Sequence, residues 1–166
     1  MIARKFKVKK KNFCFLNQTH SSKVIEISKN NKNKKISADG MITKTKGILL
    51  GILTADCAPI IILGKEYVGI IHVGWKGLLN GIIENSIREL KKKGENVDNL
   101  ICLVGPHLQK SSFNVKNDFK NMLIEKNKEE YIMETNEKLF FDFSKLISNS
   151  LSSVGVNKYK ISKIDT

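Results

Sequence analysis

Between Lys23 and Val104 the sequence breaks into short apolar runs separated by polar punctuation, a pattern that narrows the possible folds more than any other feature. Five runs have the length and β-branched content of strands: Lys23–Ile27, Ile48–Thr54, Ile60–Leu63, Tyr67–Ile71 and Leu100–Val104. Tyr159–Ile164 is a weaker sixth. Several runs are nearly continuous in apolar residues, which predicts strands covered on both faces. Helical periodicity is equally local. From Leu78 to Lys93, apolar residues fall at 78, 79, 82, 83, 87 and 90, one stripe at helical spacing. Lys91 to Lys93 suit the negative end of the helix dipole, and Gly94 suits its stop. Ser144 to Val154 repeats the pattern with Gly155 as its stop and Asp142 or Ser144 as its cap. Lys116 to Glu125 predicts a third helix with Phe119, Met122 and Leu123 facing inward. Strands followed by helices, with several strands in succession, predict an α+β fold: a layered α/β sandwich with mixed β-sheets flanked by helices.

A length of 166 residues, 41% of them apolar, suits one domain with a core and argues against a disordered chain. The longest apolar candidate for a membrane span, Gly47 to Leu63, is interrupted by Thr54, Asp56 and Pro59, so no membrane partner is expected. The first seven residues carry charge without an apolar stretch behind them, which predicts no secretory signal and a cytoplasmic protein. A net charge of +13 invites a nucleic-acid reading, but the excess is almost wholly Lys, with Arg only at Arg4 and Arg88. Bidentate reading of bases and phosphates favours Arg, and no nucleic-acid module is visible. The Lys clusters at 7–11 and 32–35 read as solvated loops, while the overall field favours an anionic small substrate. Cys14, Cys57 and Cys102 are odd in number and widely spaced, as free thiols are.

Chemistry concentrates at the ends of the apolar runs. His20 precedes the Lys23–Ile27 run, and Cys57 ends Thr54-Ala-Asp-Cys, where Ala58-Pro59 is expected to turn the chain. His72 follows Tyr67–Ile71 and leads through Val73-Gly-Trp-Lys-Gly into the long helical stripe. Taken alone, a His or Cys is more often structural; together, with Asp56 beside Cys57, the three form a candidate shared site. Separations of 37 and 15 residues match no zinc finger. Two chemistries fit. Two His and one Cys supply three zinc ligands with a fourth position open, where a bound water would have its pKa lowered to about 7. Alternatively, Cys57 is a thiolate nucleophile with His72 or His20 as its base. Asp56 fits an orienting or acid/base role. Lys76, flanked by Gly74 and Gly77 at a helix start, fits an anion such as phosphate, or equally a solvated surface position. His107, in Val104-Gly-Pro-His-Leu, reads as a loop residue before it reads as a fourth ligand.

Four stretches carry a resemblance to a known family: Gln18-Thr-His-Ser-Ser-Lys-Val; Ser37-Ala-Asp-Gly-Met-Ile-Thr with Leu53-Thr-Ala-Asp-Cys-Ala-Pro-Ile; Ile71-His-Val-Gly-Trp-Lys-Gly-Leu; and Val104-Gly-Pro-His-Leu-Gln-Lys-Ser-Ser-Phe-Asn-Val. In this order they resemble the YfiH/DUF152 family, also described as multicopper polyphenol oxidase (laccase)-like or peptidoglycan-editing factor-like. The resemblance extends over residues 1–166 as a single YfiH-like domain. It implies zinc held by His20, Cys57 and His72, a catalytic group of Asp56, Cys57 and His72, and a substrate side formed by Lys76, Gly74 and Asp39. Lys76 stands where the family usually has Arg. The implied activities are phosphorolysis of adenosine, inosine or guanosine to base plus ribose 1-phosphate, and deamination of adenosine. Purine nucleoside and phosphate would then be the partners of a monomer or homo-oligomer. The older oxidase label implies copper, for which one Cys/His₂ site lacks the several clusters of a multicopper protein. Relative to the family pattern, an N-terminal segment and a C-terminal basic arm are not matched, and Asp165-Thr166 stands at a Cys-Thr position. A metal-binding or interaction protein without turnover is therefore the third alternative.

Overall fold

The computed structural model describes residues 9–32 and 34–166. The readings of the N-terminal residues 1–8, and part of both Lys clusters, lie outside the described residues. At the centre is a six-stranded sheet in the order β11-β7-β5-β6-β3-β2. Its strands are β2 (Val24–Glu26), β3 (Gly40–Thr43), β5 (Ala58–Leu63), β6 (Val68–Val73), β7 (Ile101–Val104) and β11 (Lys158–Ile161). β2 runs parallel to β3 and β11 parallel to β7, while β3–β6, β6–β5 and β5–β7 are antiparallel. The expected mixed sheet is thus present. Two smaller units flank it: a parallel ribbon of β1 (Phe13–Phe15) and β4 (Leu49–Gly51), and a three-stranded sheet of β8 (Asn114–Val115), β10 (Lys138–Phe141) and β9 (Ile132–Thr135).

Helices α1 (Trp75–Leu79), α2 (Ile82–Lys92), α3 (Asn117–Glu125) and α4 (Phe143–Ser153) complete the layers. Alternation along the strands sends Ile60, Ile62, Ile71, Val73, Cys102 and Val104 to one side. There they pack with Ile82, Ile83, Ile87 and Leu90 of α2 and Leu146, Ile147 and Leu151 of α4. Among the described residues, the other side is only half covered. The ribbon closes over Met41, Ile25, Ile27 and Ile70 to form a second, smaller core with Cys14. Ile61, Leu63, Val68, Ile101 and Leu103 remain exposed. The expectation that these strands are covered on both faces is therefore corrected. An apolar run reports what a strand is able to bury, not what lies over it.

Two further corrections concern punctuation. The stripe from Leu78 to Lys93 is not one helix: Gly81, at φ 82°, ends α1 and starts α2 in the left-handed region where a helix cannot continue. Both segments still bury their apolar residues in the same core. Ala58-Pro59 opens β5 rather than turning the chain, with Pro59 paired opposite His72 near the start of the strand, where a missing N–H is tolerated. Gly94 and Gly155 do stop their helices at positive φ, and Asp142 caps α4 by accepting from the Lys145 N–H. Among the described residues no helix is long and apolar enough to cross a membrane.

Candidate metal centre

Strand register brings the three candidate ligands together. Ala58 pairs with Val73 and Pro59 with His72, so Cys57, just before β5, lies beside the end of β6. His20 arrives from the loop before β2. Its Nε2 is 3.7 Å from Cys57 Sγ, and its ring meets the His72 ring edge-on at 4.8 Å between centroids. One donor atom from each of the three residues lies within 4.8 Å of the others. His72 is buried, Cys57 half-buried and His20 exposed, so the group opens to solvent on the His20 side.

Behind them stands Asp39, fully buried at the start of β3. Its carboxylate accepts from the backbone N–H of Thr19, His20 and Ser21, from the Ser21 hydroxyl at 2.6 Å, and from His72 Nδ1 at 2.9 Å. Burial acts to raise its pKa. Hydrogen bonds from Ser21, His72 and Thr19 outweigh that effect and hold it at about 2. An ionised carboxylate only accepts, so Nδ1 of His72 carries the proton and Nε2 keeps its lone pair for a ligand. The same carboxylate gathers the N–H groups around His20, whose φ of 57° is a left-handed conformation that a side chain-bearing residue rarely holds. Thus Asp39 orients both histidines.

The donor set fits a transition-metal ion of the zinc type. Bond lengths of about 2.0–2.1 Å to nitrogen and about 2.3 Å to sulfur allow two ligands to stand at the His20–Cys57 separation. A carboxylate behind a ligating His is the usual supporting arrangement. Burial pushes the Cys57 thiol up, and the charges of Asp56 and Asp39 push it further. A thiolate there needs a neighbouring positive charge, which a metal ion or an imidazolium would supply.

The remaining predicted residues surround this group. Asp56 is exposed beside Cys57; its Oδ1 accepts from Thr166 Oγ1 at 3.3 Å, and its backbone carbonyl accepts from Leu108 N–H. Gly74 lies hard against the ligands: a Cβ there would sit 2.5 Å from His20 Cδ2 and 3.2 Å from Cys57 Sγ. At Gly77 a Cβ would sit 2.9 Å from the Ser21 carbonyl. The close approach these glycines permit is therefore to the His20 loop. Lys76 is exposed, with Nζ 5.4 Å from the Trp75 ring centroid. His107 stands apart and fully buried. Its Nδ1 is 2.8 Å from the Gly105 carbonyl and its Nε2 is 2.8 Å from Ser144 Oγ, so both nitrogens serve the fold. Asp165 accepts from Gln109 N–H and Ser112 Oγ, which holds Thr166 against Asp56. Sequence reasoning missed the supporting role of Asp39; its place in Ser37-Ala-Asp-Gly was the available signal.

A mixed α+β sandwich with a His/Cys/His centre where its middle strands end defines the structural class. The chain belongs to the family described as multi-copper polyphenol oxidoreductase laccase, whose model matches residues 1–166. It is 39% identical over 139 residues to a purine nucleoside phosphorylase of Aquifex aeolicus, spanning 84% of this chain and 63% of that protein. It is 30% identical over 108 residues to adenosine deaminase RL5 of an unknown prokaryotic organism, spanning 59% of this chain and 41% of that protein. The fold matches the crystal structure of the Bacillus licheniformis hypothetical protein YfiH with a TM-score of 0.87 at 19% identity, covering 99% of this chain and 68% of that one.

Proposed function

We propose that the chain acts on purine nucleosides at a zinc centre formed by His20, Cys57 and His72. The reactions are phosphorolysis of adenosine, inosine or guanosine to base and ribose 1-phosphate, and deamination of adenosine to inosine. The observation that carries the reading is the convergence of two histidines and a cysteine on one open point, supported from behind by Asp39. The naming of its relatives as purine nucleoside phosphorylase and adenosine deaminase supplies the substrate class. Zinc bound there would supply Lewis acidity toward an oxygen of water or substrate.

The chain's own residues do the rest. Asp39 holds the proton on His72 Nδ1 and keeps Nε2 free to coordinate. Asp56, exposed at the mouth with one carboxylate oxygen taken by Thr166, takes or returns a proton at the other. Lys76 offers an exposed ammonium to phosphate, in a molecule whose net charge of +13 already draws anions. A single three-ligand group among the described residues supports one metal rather than a relay of copper centres. The exposure of His20 and Asp56 favours one second reading, a chain that binds metal and nucleoside without turnover.

Elemental analysis joined to a base-release assay tests both. About one zinc per chain is expected, with phosphate-dependent release of hypoxanthine from inosine, and both are lost in Cys57→Ala. A folded, zinc-loaded chain that converts none of the three nucleosides overturns the enzymatic reading.

A further inference from the structure

His20 and Cys57 are carried by different parts of the chain. The His20 loop hangs from the segment that ends in Asp39: the Asn17 N–H donates to the Ile36 carbonyl, the Ala38 N–H donates to the Asn17 carbonyl, and Asp39 accepts from the His20 N–H. Cys57 closes the irregular stretch 52–57 between β4 and β5. No side chain of that stretch is fully buried and Leu53 is 73% exposed, so packing does little to fix its path. Gln18 ties the two parts together. Its Nε2 donates to the Leu53 carbonyl and its Oε1 accepts from the Leu53 N–H, both at 2.8 Å. Among the described residues no other hydrogen bond joins 18–21 to 53–57, apart from the approach of His20 Nε2 to Cys57 Sγ at 3.7 Å. The pairing copies a β-ladder. β1 and β4 run parallel as far as Phe15 opposite Gly51. Two residues on, the Asn17 backbone turns to Ile36 and Ala38, and the Gln18 amide takes the place beside Leu53 that a strand would have filled. An ionised Glu only accepts and a Lys only donates, so neither meets both groups.

The geometry points to Gln18 as a positioning residue that sets the gap between His20 and Cys57, and through that gap the hold of both on one metal ion. The inference rests on the metal reading of the site. A tetrahedral zinc-type ion places a nitrogen and a sulfur ligand about 3.5 Å apart, close to the observed 3.7 Å. The two donors lose a shared ion once they part beyond about 4.4 Å, the sum of the two bond lengths. A drift of less than about 1 Å is therefore enough to separate them, and the exposed stretch has little packing to resist it. The Asp56 carbonyl is held by the Leu108 N–H, but that bond ties the stretch to the loop after β7 and not to His20. Asp39 aims the His72 ring and the His20 backbone; Gln18 governs how far the Cys57 stretch stands from them.

The test uses Gln18→Met, which keeps the length of the side chain and removes both hydrogen bonds. Zinc affinity, read by chelator competition, should fall about ten-fold or more. The thermal midpoint of the metal-free protein should stay within about 4 °C of the wild type, because the two bonds lie at the surface. Hydrogen exchange of the Leu53 amide should quicken, while that of Ser21, held by Asp39, should not. Cobalt in place of zinc reads the geometry directly: the thiolate-to-cobalt absorption band should weaken or shift. Leu53→Ala keeps the backbone groups and alters only an exposed side chain, so it should bind zinc as the wild type does. Should Gln18→Met fail to fold, Gln18→Glu gives the second reading. Its carboxylate turns lone pairs toward the Leu53 carbonyl, and zinc affinity at neutral pH should fall at least as far. A wild-type chain and a Gln18→Met chain that bind zinc equally well overturn the proposal and leave the metal centre standing. So does a loss of affinity shared by Leu53→Ala or matched by a general loss of stability and of Ser21 protection, and so does unfolding of both Gln18 variants, which would assign Gln18 to the fold alone. A wild-type chain that takes up no zinc overturns the metal reading itself, and the proposal with it.

Discussion

The carboxylate of Asp39 lies 2.9 Å from Nδ1 of His72, and the same group accepts the backbone N–H of His20 at 3.0 Å. One buried side chain thereby fixes the ring of one candidate ligand and the main chain of another. Its effect on a metal bound there would be indirect, through the direction in which each histidine points.

Asp39→Asn replaces an all-acceptor group with one that presents N–H₂ to some of these donors. Metal affinity should fall about 10–100-fold, read by chelator competition, and stability should drop by about 2 kcal/mol. Unchanged affinity would remove Asp39 from the centre.

Gly74→Ala introduces a Cβ into space held by the His20 ring and the Cys57 sulfur. The ring is exposed and is able to swing away, so the fold should survive with little change in thermal midpoint. Metal affinity should fall by about ten-fold or more as the ligand set opens. A variant that binds metal as the wild type does would show that His20 is not held where it stands.

Glu95 is a structural counterpart away from the site. Its buried carboxylate accepts the backbone N–H of Lys65, Glu66 and Tyr67 at 2.7–2.8 Å, closing the turn between β5 and β6. Burial acts to raise its pKa, but these three hydrogen bonds outweigh it and hold the group below the usual Glu range. The unfolded chain thus binds the proton more readily than the folded one. The stabilisation is complete above the unfolded value of about 4.3 and is lost as pH falls through the lower folded value. Glu95→Gln should cost about 2 kcal/mol at neutral pH in urea unfolding. The gap between the two proteins should narrow only below about pH 4; a gap independent of pH would contradict the ionised role.

Gly81→Ala tests the break between α1 and α2. At φ 82° with nothing closer than 3.5 Å to an added Cβ, the substitution meets no clash and isolates the conformational cost. A loss of about 1–2 kcal/mol is expected in thermal unfolding. A neutral or stabilising result would mean that the break relaxes into continuous helix.

Some of this structure was legible from near neighbours alone. Gly94 and Gly155 stop their helices and Asp142 caps α4, because caps and stops depend on residues one turn away. His20, Cys57 and His72 stood out by their polar or Gly-rich neighbours; Cys57 precedes β5 and His72 is next to the end of β6, whereas His20 lies in the loop before β2. Other parts left no such trace. β3 is only Gly40–Thr43 with a glycine at its head, and it becomes a strand because β2 and β6 pair on either side. The β9–β10 hairpin turns through Asn136-Glu137, both at positive φ, without the glycine that usually announces such a turn.

The sequence by itself marked the strands β2, β4, β5, β6, β7 and β11, the helical segments and their stops at Gly94 and Gly155, and three residues as a candidate shared site. Tertiary structure decided that Asp39 serves both histidines, that the stripe after Leu78 bends at Gly81, and that Ile61, Leu63, Val68, Ile101 and Leu103 of the central sheet are left exposed. The division has a physical cause. Periodicity, caps and turn residues act over a few positions along the chain. A carboxylate's donors eighteen to thirty-three residues away, and the presence or absence of a covering layer, are set only when distant strands pair and pack.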